Sequence, residues 1–183
     1  MRCNYSLFDF DYCILTETWL TADFCDSELG LTDYQLFRFD RNEITSPHRR
    51  GGGVLIAINN LYAAKMLSVP INNVEQLFIL VSVGNKKLII GGVYIPPSSG
   101  PDMYDSHIQS LELLRTKYAD CEFIIAGDFN LSSARYDLNS NSGVNFFPTT
   151  AQSDSILFGY SYFNFRQFNP ILNYNNSLLD LVF

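Results

Sequence analysis

Two polar side chains stand immediately after an apolar run in the middle of the sequence. Residues 124–127 read IIAG, and Asp128 and Asn130 follow with one phenylalanine between them. Asp and Asn are common in turns and at helix N-termini, so a purely structural role is open. A chemical role is also open, because a carboxylate can orient a water molecule while an amide binds an anion without adding negative charge. Strand side chains alternate, so a pair at this spacing faces one way.

Two further apolar runs also end in polar groups. Glu17 follows the core run in ILTETW, and Tyr94 closes the run in IIGGVYIPP. Sites in α/β proteins commonly form where strand ends meet. Each residue by itself has an ordinary explanation, with Glu17 as a solvated edge residue and Tyr94 as a strand aromatic.

The elements that must position these residues are short β-rich runs. Several of them are apolar at consecutive positions, which predicts strands that are covered on both faces. The link Gly84-Asn85 between two runs predicts a hairpin turn and an antiparallel pair. The predicted strands cover residues 12–15, 54–58, 77–83, 88–94, 123–126 and 178–183.

One clear amphipathic helix is predicted over residues 102–117, after the Pro- and Gly-rich turn of residues 96–101. A weaker helix is predicted after Trp19, with Thr21 as its cap. Residues 131–145 are rich in Ser and Asn, which is typical of a surface loop. The aromatic residues Phe158, Tyr160, Tyr162, Phe163 and Phe165 are expected to fill a core, although exposed members could contact a DNA groove.

Composition narrows the class of protein. A chain of 183 residues with 47% apolar content can bury one substantial core, so a single domain over residues 1–183 is expected. The net charge of −7 works against indiscriminate binding to phosphate backbones, so a nucleic acid would have to be gripped locally. The scattered cysteines favour a reducing intracellular compartment, nucleus or cytoplasm. No apolar run approaches the roughly 20 residues of a membrane helix, and no membrane partner is expected.

Five spaced motifs give a more specific indication when they are taken together. In chain order they are ETW, RRGGGVLIAI, GVYIPP, GDFN and SLLDLVF. This order resembles the endonuclease/exonuclease/phosphatase superfamily, and within it most closely the endonuclease domain of non-LTR retrotransposons. The similarity runs from about residue 12 to residue 183. It implies a four-layer α/β sandwich of the DNase I-like type, with two packed mixed β-sheets flanked by helices.

The resemblance also implies a role for each motif residue. Glu17 would bind Mg²⁺, with Mn²⁺ as the alternative ion. Asp128 would activate or orient the attacking water, and Asn130 would hold the scissile phosphate. Tyr94 would contact the phosphate or stabilise the transition state. Asp180, in SLLDLVF, is similar to the aspartate that supports the family's catalytic histidine.

Two residues are weaker candidates for substrate contact. Ser177 matches a substrate-contacting position, and Arg50, beside the glycines, could touch DNA phosphates, although a solvated-loop role fits Arg50 equally well. The three glycines at 51–53 are not followed by Lys-Ser or Lys-Thr as in a P-loop, so they are expected to allow close strand packing.

Two parts of the family pattern have no counterpart in the sequence, namely the first, asparagine-bearing strand and the final Ser-Asp-His motif. Asn4 precedes Glu17 too closely to take the role of that asparagine. His48 and His107 lie outside the expected context, and we expect them to be a loop residue and a helix-face residue. Weak or absent activity is therefore expected of a domain that is incomplete at both ends.

Three functions remain open. The first is a Mg²⁺-dependent endonuclease that nicks target DNA to leave a 3′-hydroxyl for priming, with a reverse transcriptase domain as the expected partner in the intact protein. The second is a truncated copy that keeps the fold without catalysis. The third is an enzyme of the same superfamily that acts on another substrate, such as an abasic site, a phosphoinositide or a sphingolipid head group.

Overall fold

The computed structural model describes residues 10–46, 50–70, 73–132, 134–137 and 144–183. Within these ranges the chain forms two β-sheets packed face to face, a separate two-stranded ribbon, two α-helices and one short 3₁₀ helix. Asn4 and His48, which the sequence analysis did not assign to the family pattern, lie outside the described residues. Neither helix in the described ranges is long and apolar enough to cross a lipid bilayer.

The small sheet has three antiparallel strands, in the order β1, β3, β2. They are β1 (Tyr12–Thr16), β2 (Tyr34–Phe39) and β3 (Val54–Asn59). The central strand β3 is apolar on both faces, as its consecutive apolar residues predict. Val54, Ile56 and Ile58 face the other sheet, whereas Leu55 and Ala57 pack under the outer cover.

The large sheet has five strands, in the order β10, β7, β6, β5, β4. They are β4 (Ala63–Leu67), β5 (Glu75–Val83), β6 (Lys86–Tyr94), β7 (Glu122–Asp128) and β10 (Asp180–Val182). Only the β6–β7 pair is parallel, so the sheet is mixed. The predicted hairpin at Gly84-Asn85 is confirmed, with Gly84 in the left-handed region at φ 59°.

Two helices cover the outer face of the large sheet. Helix α1 (Pro101–Lys117) follows the predicted turn, and helix α2 (Ala151–Tyr162) packs beside it. The Thr150 hydroxyl caps α2 by accepting a hydrogen bond from the Ser153 N–H. Leu111 and Ile156 belong to the main hydrophobic core between these helices and the sheet.

The outer face of the small sheet is covered by a loop rather than by an α-helix. The 3₁₀ helix Asp26–Leu29 lies in this loop, and the weaker helix predicted after Trp19 is therefore wrong. The Thr21 carbonyl accepts a turn hydrogen bond from the Phe24 N–H at 3.0 Å, and the Cys25 N–H donates to the Glu28 side chain instead of to a helical carbonyl. The Arg38 guanidinium donates to the Thr21 and Phe24 carbonyls at 2.9 Å each and so ties this loop to β2.

The predicted surface loop over residues 131–145 is only partly correct. It contains β8 (Arg135–Asp137), which pairs with β9 (Asn145–Phe147) in an antiparallel ribbon. The aromatic residues of α2 divide between two environments. Tyr160 is buried in the core as expected, but Phe158 and Tyr162 are 74% and 71% exposed and stack on each other.

Candidate active site

A row of polar side chains crosses the large sheet at one end. In the strand register Glu75 pairs with Tyr94, Tyr94 with Asp128, and Asp128 with Asp180. Directly paired residues project from the same face of a sheet. Tyr94 packs in the cluster between the two sheets, so the whole row faces the small sheet.

Glu17 reaches this row from the small sheet. It directly follows β1 and is held in the left-handed region, at φ 53°. Its Oε2 atom accepts hydrogen bonds from the Gly52 N–H at 2.9 Å and from the Trp19 indole N–H at 2.7 Å. The Tyr94 side chain also lies close enough to this carboxylate to lower its pKa. The two sheets therefore meet at a Glu17–Tyr94 contact.

A buried ion pair lies behind this contact. Arg41 Nε is 2.6 Å from Glu75 Oε1, and the two side chains are only 10% and 1% exposed. The Arg41 guanidinium also donates to the Arg50 carbonyl at 3.0 Å and lies 5.7 Å from the centre of the Tyr94 ring. Sequence reasoning missed both charges. The available signal was a glutamate at the start of a mainly apolar strand, at the position that the Gly84-Asn85 hairpin pairs with Tyr94.

The glycine loop, residues 51–53, closes over the ion pair. The Gly53 N–H donates to Glu75 Oε2 at 2.6 Å. A Cβ atom on Gly52 would lie 2.3 Å from the same oxygen and 2.4 Å from an Arg41 nitrogen, and Gly52 has φ 64°. The glycines therefore allow a close approach, as expected, but Gly52 packs against the side chains of a salt bridge rather than against a strand.

Asp128 and Asn130 form a turn at the end of β7. Asp128 Oδ1 accepts a hydrogen bond from the Asn130 N–H at 3.0 Å. Asn130 is in the left-handed region at φ 50°, and its amide donates to the Ile95 carbonyl at 2.9 Å. The turn role is compatible with a chemical role, because an amide carries two N–H donors.

The carboxylic acids of the site have different electrostatic environments. Burial raises the pKa of Asp128 to about 6, and the negative charges of Asp180 and Glu17 add to this effect. Burial also raises the pKa of Asp180. Burial by itself would raise the pKa of Glu17, but hydrogen bonds and a nearby guanidinium outweigh it, so the net pKa is lowered. The groups responsible are Tyr94, Gly52, Trp19 and Arg41.

Two predicted contacts and a histidine are not members of this row. Ser177 is half-buried in the turn before β10, where its N–H donates to Asn173 Oδ1 at 3.0 Å. Arg50 is exposed beside the glycine loop. His107 is fully buried on the sheet-facing side of α1, and both of its ring nitrogens are hydrogen-bonded in the core. It therefore does not take the place of the histidine in the family pattern.

The carboxylic acids of the site determine whether it can bind a divalent cation. Among the residues that the structure describes, no three His, Cys, Asp or Glu side chains gather closely enough to hold a metal ion. Glu17 nevertheless offers a hard, ionised oxygen ligand, with two further carboxylic acids in the adjoining row. Mg²⁺ often keeps several waters and uses one or two carboxylates together with substrate phosphate. The residues fit a site of that kind rather than one in which protein side chains supply every ligand.

Comparison with known proteins identifies the class of fold. No family model matches the chain, and no curated protein sequence matches it. Solved structures do match, and they show that the chain has the DNase I-like α/β fold that the motifs predict.

Two of these structures are similar over almost the whole chain. The catalytic domain of human Nocturnin with a bound sulfate anion has 13% identity and a TM-score of 0.64, covering 94% of this chain and 68% of that one. The endonuclease domain of TRAS1, a telomere-specific non-LTR retrotransposon, has 9% identity and a TM-score of 0.63, covering 97% and 74%. At these identities the similarity establishes the fold.

Proposed function

We propose that the chain is a metal-dependent phosphodiester hydrolase whose substrate is DNA, of the retrotransposon endonuclease type. The observation that carries the proposal is that Glu17 of the small sheet lies beside Tyr94 of the large sheet, with Asp128 paired to Tyr94 in the next strand. These three residues are far apart in sequence and belong to separate motifs.

The chemistry follows from the properties of these groups. Glu17 would hold the divalent ion, which supplies a positive charge to the phosphate when it is bound. Asp128 has a pKa of about 6, so near neutral pH it can accept a proton from the attacking water. The Tyr94 hydroxyl and the Asn130 amide donate hydrogen bonds to phosphate oxygens without adding negative charge. Asp180 lies beside Asp128 and raises its proton affinity.

DNA as the substrate is supported by the motif resemblance and by the likeness to the TRAS1 endonuclease domain. Because the chain carries a net charge of −7, positive groups near the site have to make the local contacts. Exposed Arg50 is the candidate for such a contact, and the turn containing Ser177 would add a neutral one. We also propose that the intact protein contains a reverse transcriptase domain.

A second candidate function is hydrolysis of another phosphate ester by the same groups. The Nocturnin catalytic domain, of similar fold, has a sulfate anion bound. Sulfate and phosphate are both tetrahedral oxyanions, so a fold of this kind can accommodate a small phosphate ester.

The experiment is a plasmid-nicking assay on the full chain, with supercoiled DNA in Mg²⁺ or Mn²⁺. We expect nicked circles, their loss in EDTA, and a rate about 10²- to 10⁴-fold lower for Asp128→Ala. Asp105→Ala, an exposed position on α1, is the matched control and should keep the rate.

The same preparations are incubated with soluble phosphate esters and lipid phosphates. Hydrolysis of these compounds without plasmid nicking would favour the second candidate. A folded protein that attacks none of the substrates would indicate a copy without catalysis. Nicking that survives in Asp128→Ala would refute the assignment of the base.

A further inference from the structure

The single tryptophan of the chain, Trp19, lies two residues after Glu17, and 62% of its surface is exposed. One exposed apolar side chain is ordinary by itself. The unusual feature of Trp19 is that it is exposed and also fixed in place. Its indole N–H donates to Glu17 Oε2 at 2.7 Å, and its backbone N–H donates to the Gly52 carbonyl at 2.9 Å.

The backbone around the ring is held in an unfavourable conformation. Glu17 and Trp19 have φ values of 53° and 56°, a region that bulky side chains rarely adopt. Residues in such conformations concentrate at functional sites, where the surrounding structure maintains them. The fold thus presents a rigid aromatic face to solvent beside the carboxylate that would hold the metal ion.

We propose that Trp19 is a stacking platform for a nucleobase next to the phosphate that Tyr94 contacts, beside the Glu17 carboxylate. The inference rests on the proposed function, because the ring is placed against the same carboxylate. Stacking on an aromatic ring needs no positive charge, and it therefore suits a protein with a net charge of −7. A base inside a duplex is already stacked, so the occupant is an unpaired or extruded base.

Fluorescence tests this directly, because all tryptophan emission comes from Trp19. The full chain is titrated in EDTA with a short single-stranded oligonucleotide and with an abasic oligonucleotide of equal length. We expect the base-bearing strand to quench the emission and to bind roughly 5- to 150-fold more tightly. Equal quenching by both strands, or binding of the base-bearing strand without quenching, would overturn the proposal.

Two substitutions separate stacking from the hydrogen bond to Glu17. Trp19→Phe keeps an aromatic face and loses the N–H donor, whereas Trp19→Leu loses both. By the anisotropy of a labelled strand, we expect Trp19→Phe to keep most of the affinity and Trp19→Leu to lose it. Equal losses in the two variants would show that the indole serves only to orient Glu17.

Phe24→Leu is the matched control, since Phe24 is an aromatic residue of the same loop and is 48% exposed. It should bind like the parent protein, and circular dichroism of each variant checks the fold. If no strand binds to the folded protein in EDTA, the platform fails, whereas the proposed function is decided separately by plasmid nicking in Mg²⁺. If the base-bearing and abasic strands bind equally well, the stacking role of Trp19 is refuted, but the proposed function on DNA is not.

Discussion

Glu17 and Asp128 are both carboxylic acids at the same end of the sandwich, yet their pKa values shift in opposite directions. Glu17 is surrounded by hydrogen-bond donors that favour its ionised form. Asp128 is more buried and lies near two negative charges, and both effects favour its protonated form. One group is thereby suited to hold a cation and the other to exchange a proton near neutral pH.

This difference predicts that Asp128→Asn stabilises the fold at neutral pH. The pKa of Asp128 is about 6 in the folded protein, against a reference value of 3.8. The folded state therefore binds the proton more tightly than the unfolded chain does, and the parent protein loses stability as pH rises from about 4 to about 6. Urea unfolding should give the Asn variant the larger free energy of unfolding at pH 7, with little difference at pH 4.

Asp105→Asn, at an exposed position of α1, is the control for loss of a charge. It should not share the gain in stability that Asp128→Asn shows at pH 7. An Asp128→Asn variant that is less stable than the parent at pH 7 would contradict the prediction.

At the scale of elements, the glycine loop connects the ends of both sheets. Arg41 follows β2 and Glu75 is the first residue of β5. Gly52 and Gly53, just before β3, pack against both charged side chains. The Arg41 guanidinium carbon also lies 5.7 Å from the centre of the Tyr94 ring. Because a guanidinium is a rigid fork, one side chain can fix the buried carboxylate and the tyrosine together.

We expect Arg41 to act through Tyr94 as a positioning residue. Arg41→Lys keeps the charge beside Glu75 but loses the fork, and should lower kcat about tenfold with little change in KM. In a Tyr94→Phe background the same substitution should have no further effect on kcat, because the hydroxyl that it positions is gone. The measurement is a double-mutant cycle on the nicking rate.

Arg38→Lys is the matched control. Arg38 is similarly buried and pairs with Asp26 and Asp40 on the outer side of the small sheet, away from Tyr94. Its replacement should leave kcat unchanged. If Arg41→Lys lowers kcat equally in the parent protein and in the Tyr94→Phe background, Arg41 only supports the fold.

At the scale of the whole molecule, one polar network joins the helices to the large sheet. His107 on α1 contacts Gln76 on β5 and Tyr160 on α2, each at 2.7 Å, and all three side chains are buried. The Gln76 amide nitrogen donates to Ser110 Oγ at 3.1 Å, so its oxygen accepts from His107 Nδ1. This arrangement assigns the neutral Nδ1–H tautomer to His107, with Nε2 accepting from Tyr160.

The network predicts acid sensitivity. Burial lowers the pKa of His107 to about 3 from a reference value of 6.5. The unfolded chain therefore takes up the proton first, and stability is lost as pH falls below 6.5. The stability advantage of the parent over His107→Gln should shrink by about 1.4 kcal/mol per pH unit between about pH 6 and pH 4.

The measurement is urea unfolding of both proteins across this pH range. If the Gln variant does not fold, NMR of the parent protein provides the test instead. The His107 ring resonances should not titrate between about pH 5 and pH 8, and a midpoint near the reference value of 6.5 would disprove the buried neutral tautomer.

The sequence by itself determined the local features of this protein. Consecutive apolar residues predicted β3, β5 and β6 as strands covered on both faces, because a strand between two packed layers has no solvent side. Gly84-Asn85 determined the hairpin, and the motifs placed Glu17, Tyr94 and Asp128 at strand ends. These features depend on short segments, whose conformation follows from the residues that are adjacent in sequence.

Tertiary structure alone decided the features that depend on partners distant in sequence. The Arg41–Glu75 pair joins two segments that share no local pattern, and its stability comes from burial beside the glycine loop. Likewise, no helical periodicity could show that His107 would be enclosed by Gln76 and Tyr160. Strand register and packing between layers set these contacts, and both are determined only when the whole chain folds.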